Sequence, residues 1–230
     1  MRLYSIGEAC GCCQISENAQ RWRGKSERIV GMKKPICLLT LALSLAPAFA
    51  ATLTQADRDR AIAELTASRQ VFLDSVAGLS EAQWNFKPDD KTWSVAECAE
   101  HIAVSEDVIL DRVTKIAQMP AAPDQKSAVT DDFILQAVVD RSHKFQAPEV
   151  LRPTHRFANP QEILDHFKQS RDRTIAYVRD TQDDLRGHFF DHPVLKTMDG
   201  YQWILLLSAH SRRHTAQLNE VKANPNFPKQ

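Results

Sequence analysis

Trp203, Leu207, His210, His214, Gln217 and Val221 recur at spacings of 4, 3, 4, 3 and 4. That alternation keeps one stripe of a helix facing one way, as the seam of a bundle helix does. The stripe carries two imidazoles toward the core. Four residues is about one helical turn, so His210 and His214 project from the same face at neighbouring heights. A buried imidazole needs a partner for each ring nitrogen, or a metal. Two on one turn read either as a hydrogen-bonded core pair or as two legs of a metal site. Arg212 and Arg213 are expected to point away from this seam.

The start of the chain reads as an address rather than as part of a fold. Met32-Lys33-Lys34 is positive, Ile36 to Ala46 is almost wholly apolar, and Ala48-Phe49-Ala50 is a small-x-small cleavage pattern. Residues 32–50 are therefore expected to be a secretory signal peptide cut between Ala50 and Ala51, with a secreted or periplasmic product. The apolar run is shorter than the about 20 residues of a comfortable membrane span. Residues 1–31 are expected to be a start-site artefact or an unstructured extension. Their cluster of Cys10, Cys12 and Cys13 is the competing feature, since thiolates can hold a metal.

Beyond residue 50 only Cys98 remains, so the processed chain has no internal disulfide. It carries 22 basic and 26 acidic residues, a net of −4. No basic patch of the kind that nucleic-acid binding demands is present.

The processed chain reads as four long helices. The first spans Thr54 to about Val76, with Ala61, Leu65, Phe72, Val76 and Leu79 as its apolar stripe and Asp57, Arg58, Arg60 and Arg69 outside it. Ser80 to Gln83 is a capped short turn. Ser94 and Glu97 form a capping box that opens the second long helix, and Pro120 ends it by about Gln118. Its seam is Val95, Cys98, Ile102, Ser105, Ile109 and Ile116. A long irregular connection follows, with a short helix from Thr130 to about Arg141. Asn159-Pro160 opens the third long helix, which runs to about Thr181 with Ile163, Phe167, Thr174 and Val178 inward. Gly187 to Met198 is expected to be loop, and Asp199 to cap the last helix. No period-2 apolar alternation of useful length competes. The fold class is all-α: an antiparallel four-helix bundle over residues 51–224, with a tail at 225–230.

His101 lies beside the second helix's seam and offers a third imidazole. Three nitrogen ligands leave coordination positions open on a divalent ion. Glu97, one turn from His101, is a possible fourth ligand or base, although the capping box already explains it. Gln217 continues the His210/His214 face and can hydrogen-bond a ligand histidine from behind. Cys98 sits in the seam and is expected to be inert. His143, His155, His166, His188 and His192 read as surface or turn residues.

Lys87-Pro88, WSVAECAEHIAVSE, His192-Pro193 and WILLLSAHSRRHTAQLNEV, in that order, resemble the DinB-like superfamily. The resemblance covers about Asp59 to Val221. It implies a four-helix bundle whose metal ligands are His101, His210 and His214. It also implies a divalent ion such as zinc, nickel or iron. Members include bacillithiol transferase and mycothiol-dependent maleylpyruvate isomerase, so a small-molecule substrate and a low-molecular-weight thiol are implied partners. A homodimer is a further expectation. The leading expectation is thus an exported metal-dependent enzyme activating a thiol or water, of S-transferase or hydrolase type. A non-catalytic metal- or ligand-binding bundle is the competing class. The catalytic residues are left open.

Overall fold

The computed structural model describes residues 52–229. The segment expected to be a signal peptide and the cysteine cluster fall outside the described residues. Four long helices are present: α1 (Gln55–Val76), α3 (Val95–Ile116), α5 (Pro160–Asp180) and α6 (Gly200–Lys222). Two short helices, α2 (Glu81–Asn85) and α4 (Asp131–Ala137), lie between them. Among the described residues no helix is long and apolar enough to cross a membrane.

Each start was written locally. Thr54, Ser80, Ser94 and Asp199 close capping boxes with Asp57, Gln83, Glu97 and Gln202. Asn159 caps α5 ahead of Pro160. Each cap satisfies backbone N–H groups that the first turn leaves without partners. Beyond α1, Gly78 takes the left-handed conformation, with φ of 69°, that an exit from a helix requires.

Side-chain contacts fix the helix directions. Tyr201, early in α6, donates to the Asp57 carbonyl, early in α1, and Lys222 reaches Ser75 at the far ends, so these two run parallel. Arg112, late in α3, lies over the Trp203 ring, early in α6, so α3 and α6 are antiparallel. Arg58 in the first turn of α1 donates to Val178 and Thr181 at the end of α5, so that pair is antiparallel too. The bundle therefore runs up, down, down, up. The segment between α3 and α5 must carry the chain back along the bundle, which is why it is long.

Two apolar clusters fill the core. One gathers Leu65, Ile109, Val113, Val178, Tyr201 and Ile204, the other Phe72, Cys98, Ile102, Phe167, Leu218 and Val221. A polar layer is buried within the same bundle. Arg171 of α5 is fully buried and donates to both oxygens of Glu106 on α3, to the Leu65 carbonyl and Ser68 on α1, and to Ser211 on α6. All five guanidinium N–H donors are used, and all four long helices are joined. Burial pushes the Glu106 carboxyl upward, and the Arg171 charge opposes it.

Three expectations need correction. Gly187 to Met198 is not all loop: β1 (Phe189–His192) pairs antiparallel with β2 (Lys196–Asp199). Strands of four residues are too short to show a period of two. Arg58 is buried, not outside, because its guanidinium satisfies the last carbonyls of α5. Arg213 is buried as well, for the same kind of reason given below.

At the α1 start, Arg186 ties the first turns of α1 and α4 to the N-cap of α6. It donates to Asp57 at 2.7 Å, Asp131 at 2.8 Å and Asp199 at 3.0 Å, and its guanidinium carbon stands 3.9 Å from the Tyr201 ring centroid. Burial pushes the Asp57 and Asp131 carboxyls up, but hydrogen bonds and the Arg186 charge outweigh it and hold both below the usual range. Burial leaves Asp199 raised, which works in the opposite sense. A depressed native pKa contributes stability above the unfolded value, lost as pH falls through the native one. Stability should therefore decline below about pH 4. Arg186→Met should cost about 1–3 kcal/mol at pH 7 and flatten that decline. Urea unfolding at several pH values checks both; an unchanged acid slope in the variant contradicts this assignment.

Candidate metal centre

His101 projects from α3 and His210 and His214 from α6, across the groove where these antiparallel helices pack. The Nε2 atom of His101 lies 3.2 Å from Nε2 of His210 and 3.1 Å from Nε2 of His214. These three residues form a group whose ligand atoms lie close enough to hold one metal ion. Tetrahedral zinc with N ligands at about 2.0–2.1 Å would separate its nitrogens by about 3.3 Å.

The hydrogen bonds behind the rings decide which nitrogens face inward. Nδ1 of His101 lies 2.7 Å from the Leu151 carbonyl, which can only accept, so Nδ1 carries the proton. Nδ1 of His214 lies 2.8 Å from Oε1 of Gln217. Arg141 donates to that same oxygen at 3.3 Å, which agrees with an oxygen at this position. His214 therefore also carries its proton on Nδ1. Neutral rings in these tautomers point two bare lone pairs at each other across 3.1 Å. One proton on His210 can satisfy only one of them. A cation among the three nitrogens removes the repulsion, so the donor set fits a divalent ion.

Burial reinforces the neutral state. It lowers the His101 pKa despite the Leu151 carbonyl. His210 and His214 are pushed well below the ordinary imidazole range, first by burial and then by the charges of the neighbouring rings. Neutral imidazole is the form that ligates a metal.

The connection between α3 and α5 climbs over this groove. Buried Arg213 donates to the carbonyls of Val138, Asp140 and His143. Arg141 makes a two-pronged ion pair with Glu220. The connection then delivers the Leu151 carbonyl to His101, from a short 3-10 turn over Glu149–Leu151. Trp93 stands against the rings, its centroid 5.0 Å from that of His101 and 6.3 Å from that of His214. His101 is buried, while His210 and His214 are half-buried.

Gln217, expected behind the ligands, accepts from Nδ1 of His214. Glu97 is different. Its carboxylate meets the Ser94 N–H at 2.7 Å and Lys87 at 3.0 Å, and hydrogen-bonds none of the three imidazoles. The capping box takes Oε2 and Lys87 takes Oε1. Cys98 is fully buried, and burial pushes its thiol up, so it is no nucleophile. His192 is the last residue of β1, and its Nδ1 accepts from the backbone N–H groups of Val194 and Leu195 in the turn that follows. His166 instead bonds Asp107 at 2.7 Å across α3 and α5. Leu151 was illegible beforehand because a carbonyl has no sequence signature. Trp93 was visible in the WSVAECAEH motif, but its place against the rings was not.

A four-helix bundle with a trio of facing imidazoles across two helices is the class that fold and site define. The family model for the DinB superfamily matches residues 64–218, and the chain belongs to that family. It is similar to the uncharacterised protein YuaE of Bacillus subtilis, 26% identical over 145 residues, spanning 63% of this chain and 86% of that protein. It also aligns with the structure of YfiT from Bacillus subtilis, described as a probable metal-dependent hydrolase with an unusual four-helix bundle topology. That alignment has 16% identity and a TM-score of 0.46, covering 74% of this chain and 89% of that one.

Proposed function

We propose that this protein is an exported metal-dependent enzyme, of hydrolase type, acting on a small molecule. His101, His210 and His214 hold the ion through Nε2. The observation that carries the reading is the pair of bare nitrogens 3.1 Å apart, each fixed by a hydrogen bond behind its ring. A divalent ion there supplies Lewis acidity, which makes a nucleophile available near neutral pH and polarises a substrate. Zinc, nickel and iron all suit imidazole ligands.

The chain's own residues do the rest. Leu151 and Gln217 hold two rings in the ligating tautomer. Trp93 walls one side of the rings. Water is the favoured nucleophile over a low-molecular-weight thiol because export, read from residues 32–50, removes the protein from the cytosolic thiol pool. N-terminal sequencing of the exported product should begin at Ala51; a product that retains Met32 contradicts processing.

The test is elemental analysis of the purified protein beside His210→Ala. About one ion per chain is expected, and essentially none in the variant. The metal-loaded protein is then assayed on ester and amide panels, with and without added thiol. Turnover that requires thiol replaces hydrolysis with S-transfer. Metal without any turnover favours a non-catalytic metal-binding bundle.

A further inference from the structure

The buried carboxylate of Glu100 has no part in the chemistry above, although it is the residue beside His101. Its relative exposure is 3%, low for a carboxylate with no metal or ligand to meet. It is not idle. Its oxygens accept from the backbone N–H of Thr154 at 2.8 Å and of His155 at 3.0 Å, and from Nε of Arg156 at 3.0 Å. These donors belong to the connection that crosses the histidine groove. Arg156 in turn donates from Nη2 to the Arg152 carbonyl, which folds the segment onto itself. His155 takes a left-handed conformation there, with φ of 56°. Side chains rarely adopt it without compensation, and here the N–H of His155 points at the Glu100 carboxylate.

Four residues before His155 the same connection ends its 3-10 turn at Leu151, whose carbonyl meets His101 Nδ1 at 2.7 Å. Two consecutive residues of α3 thus grip one short segment: Glu100 by its carboxylate and His101 by its ring.

We propose that Glu100 is a positioning residue for the metal centre. It clamps Thr154–Arg156 so that the Leu151 carbonyl stays on His101 Nδ1 and keeps Nε2 bare toward His210 and His214. This rests on the metal reading above, but its first consequence, the tautomer of His101, exists without any ion. Loss of the clamp frees the carbonyl. His101 can then place its proton on Nε2, where it blocks ligation. Groups that orient a ligand histidine typically carry about 10- to 100-fold in metal affinity.

The experiment uses the full chain, wild type, Glu100→Gln, and Glu100→Asp in case the first variant folds poorly. Zinc alone is titrated into metal-free protein against a competing chelator. Nitrogen NMR of the histidine rings reads the His101 tautomer in the metal-free state, and trypsin cleavage after Arg156 reads release of the segment. The clamp predicts zinc binding weakened about 10- to 100-fold in the variants, a shift of His101 from the Nδ1–H form to a mixture, and faster cleavage after Arg156. Variants that lose thermal stability yet keep the wild-type tautomer and zinc affinity overturn it. If the wild type itself binds no zinc, the metal reading falls, and the tautomer measurement still decides the clamp.

Discussion

Arg171→Met is expected to lower the unfolding free energy by about 3–5 kcal/mol. The guanidinium is fully buried and all of its N–H donors are engaged, so its loss strands several acceptors at once. Glu106 becomes a buried carboxylate without a counter-charge and is driven to take up a proton. The Leu65 carbonyl, Ser68 and Ser211 lose a donor in the same layer. Glu106→Met combined with Arg171→Met should recover part of the loss, because replacing both partners removes the stranded charge. Urea unfolding of the two singles and the double measures the coupling. Additive losses would show that the pair does not act as a unit.

Removal of the proposed metal is expected to have the second large effect. An ion that binds only the folded state adds about 4 kcal/mol when its concentration is 1,000 times the dissociation constant. For a domain of this size each kcal/mol moves the melting temperature by about 2–4 °C. Chelation should therefore lower the melting temperature by about 8–16 °C, and added zinc should restore it. His214→Ala should melt near the chelated wild type and ignore both chelator and zinc. The variant also relieves the lone-pair contact with His101, so it need not fall below the chelated wild type. A wild type indifferent to chelator would remove the basis for a resident ion.

How much of this was legible beforehand depended on the range of each interaction. Helix starts were legible because Ser94-x-x-Glu97 and Asn159-Pro160 act over four residues. The seam of α6 named two of the three imidazoles from spacing alone, and the motif order supplied His101. Interactions that span the fold were hidden. Arg171 stands in the inward stripe of α5, between Phe167 and Thr174, and an arginine at such a position could have announced a buried partner. Helical spacing puts Arg58 outside the α1 stripe and Arg213 away from the α6 seam, yet both end on backbone carbonyls that only the folded chain brings near them. The Leu151 carbonyl and the Glu100 clamp depend on the course of a connection without periodic pattern. The hairpin is too short for its alternation to register.

X-ray absorption at the zinc edge of the loaded full chain examines the shared-ion geometry most directly. Three imidazole nitrogens at about 2.0–2.1 Å, completed by light oxygen-type scatterers, are the predicted first coordination sphere. A sulfur contribution at about 2.3 Å, from Cys98 or from the cysteines at 10, 12 and 13, would place the metal elsewhere and contradict the assignment.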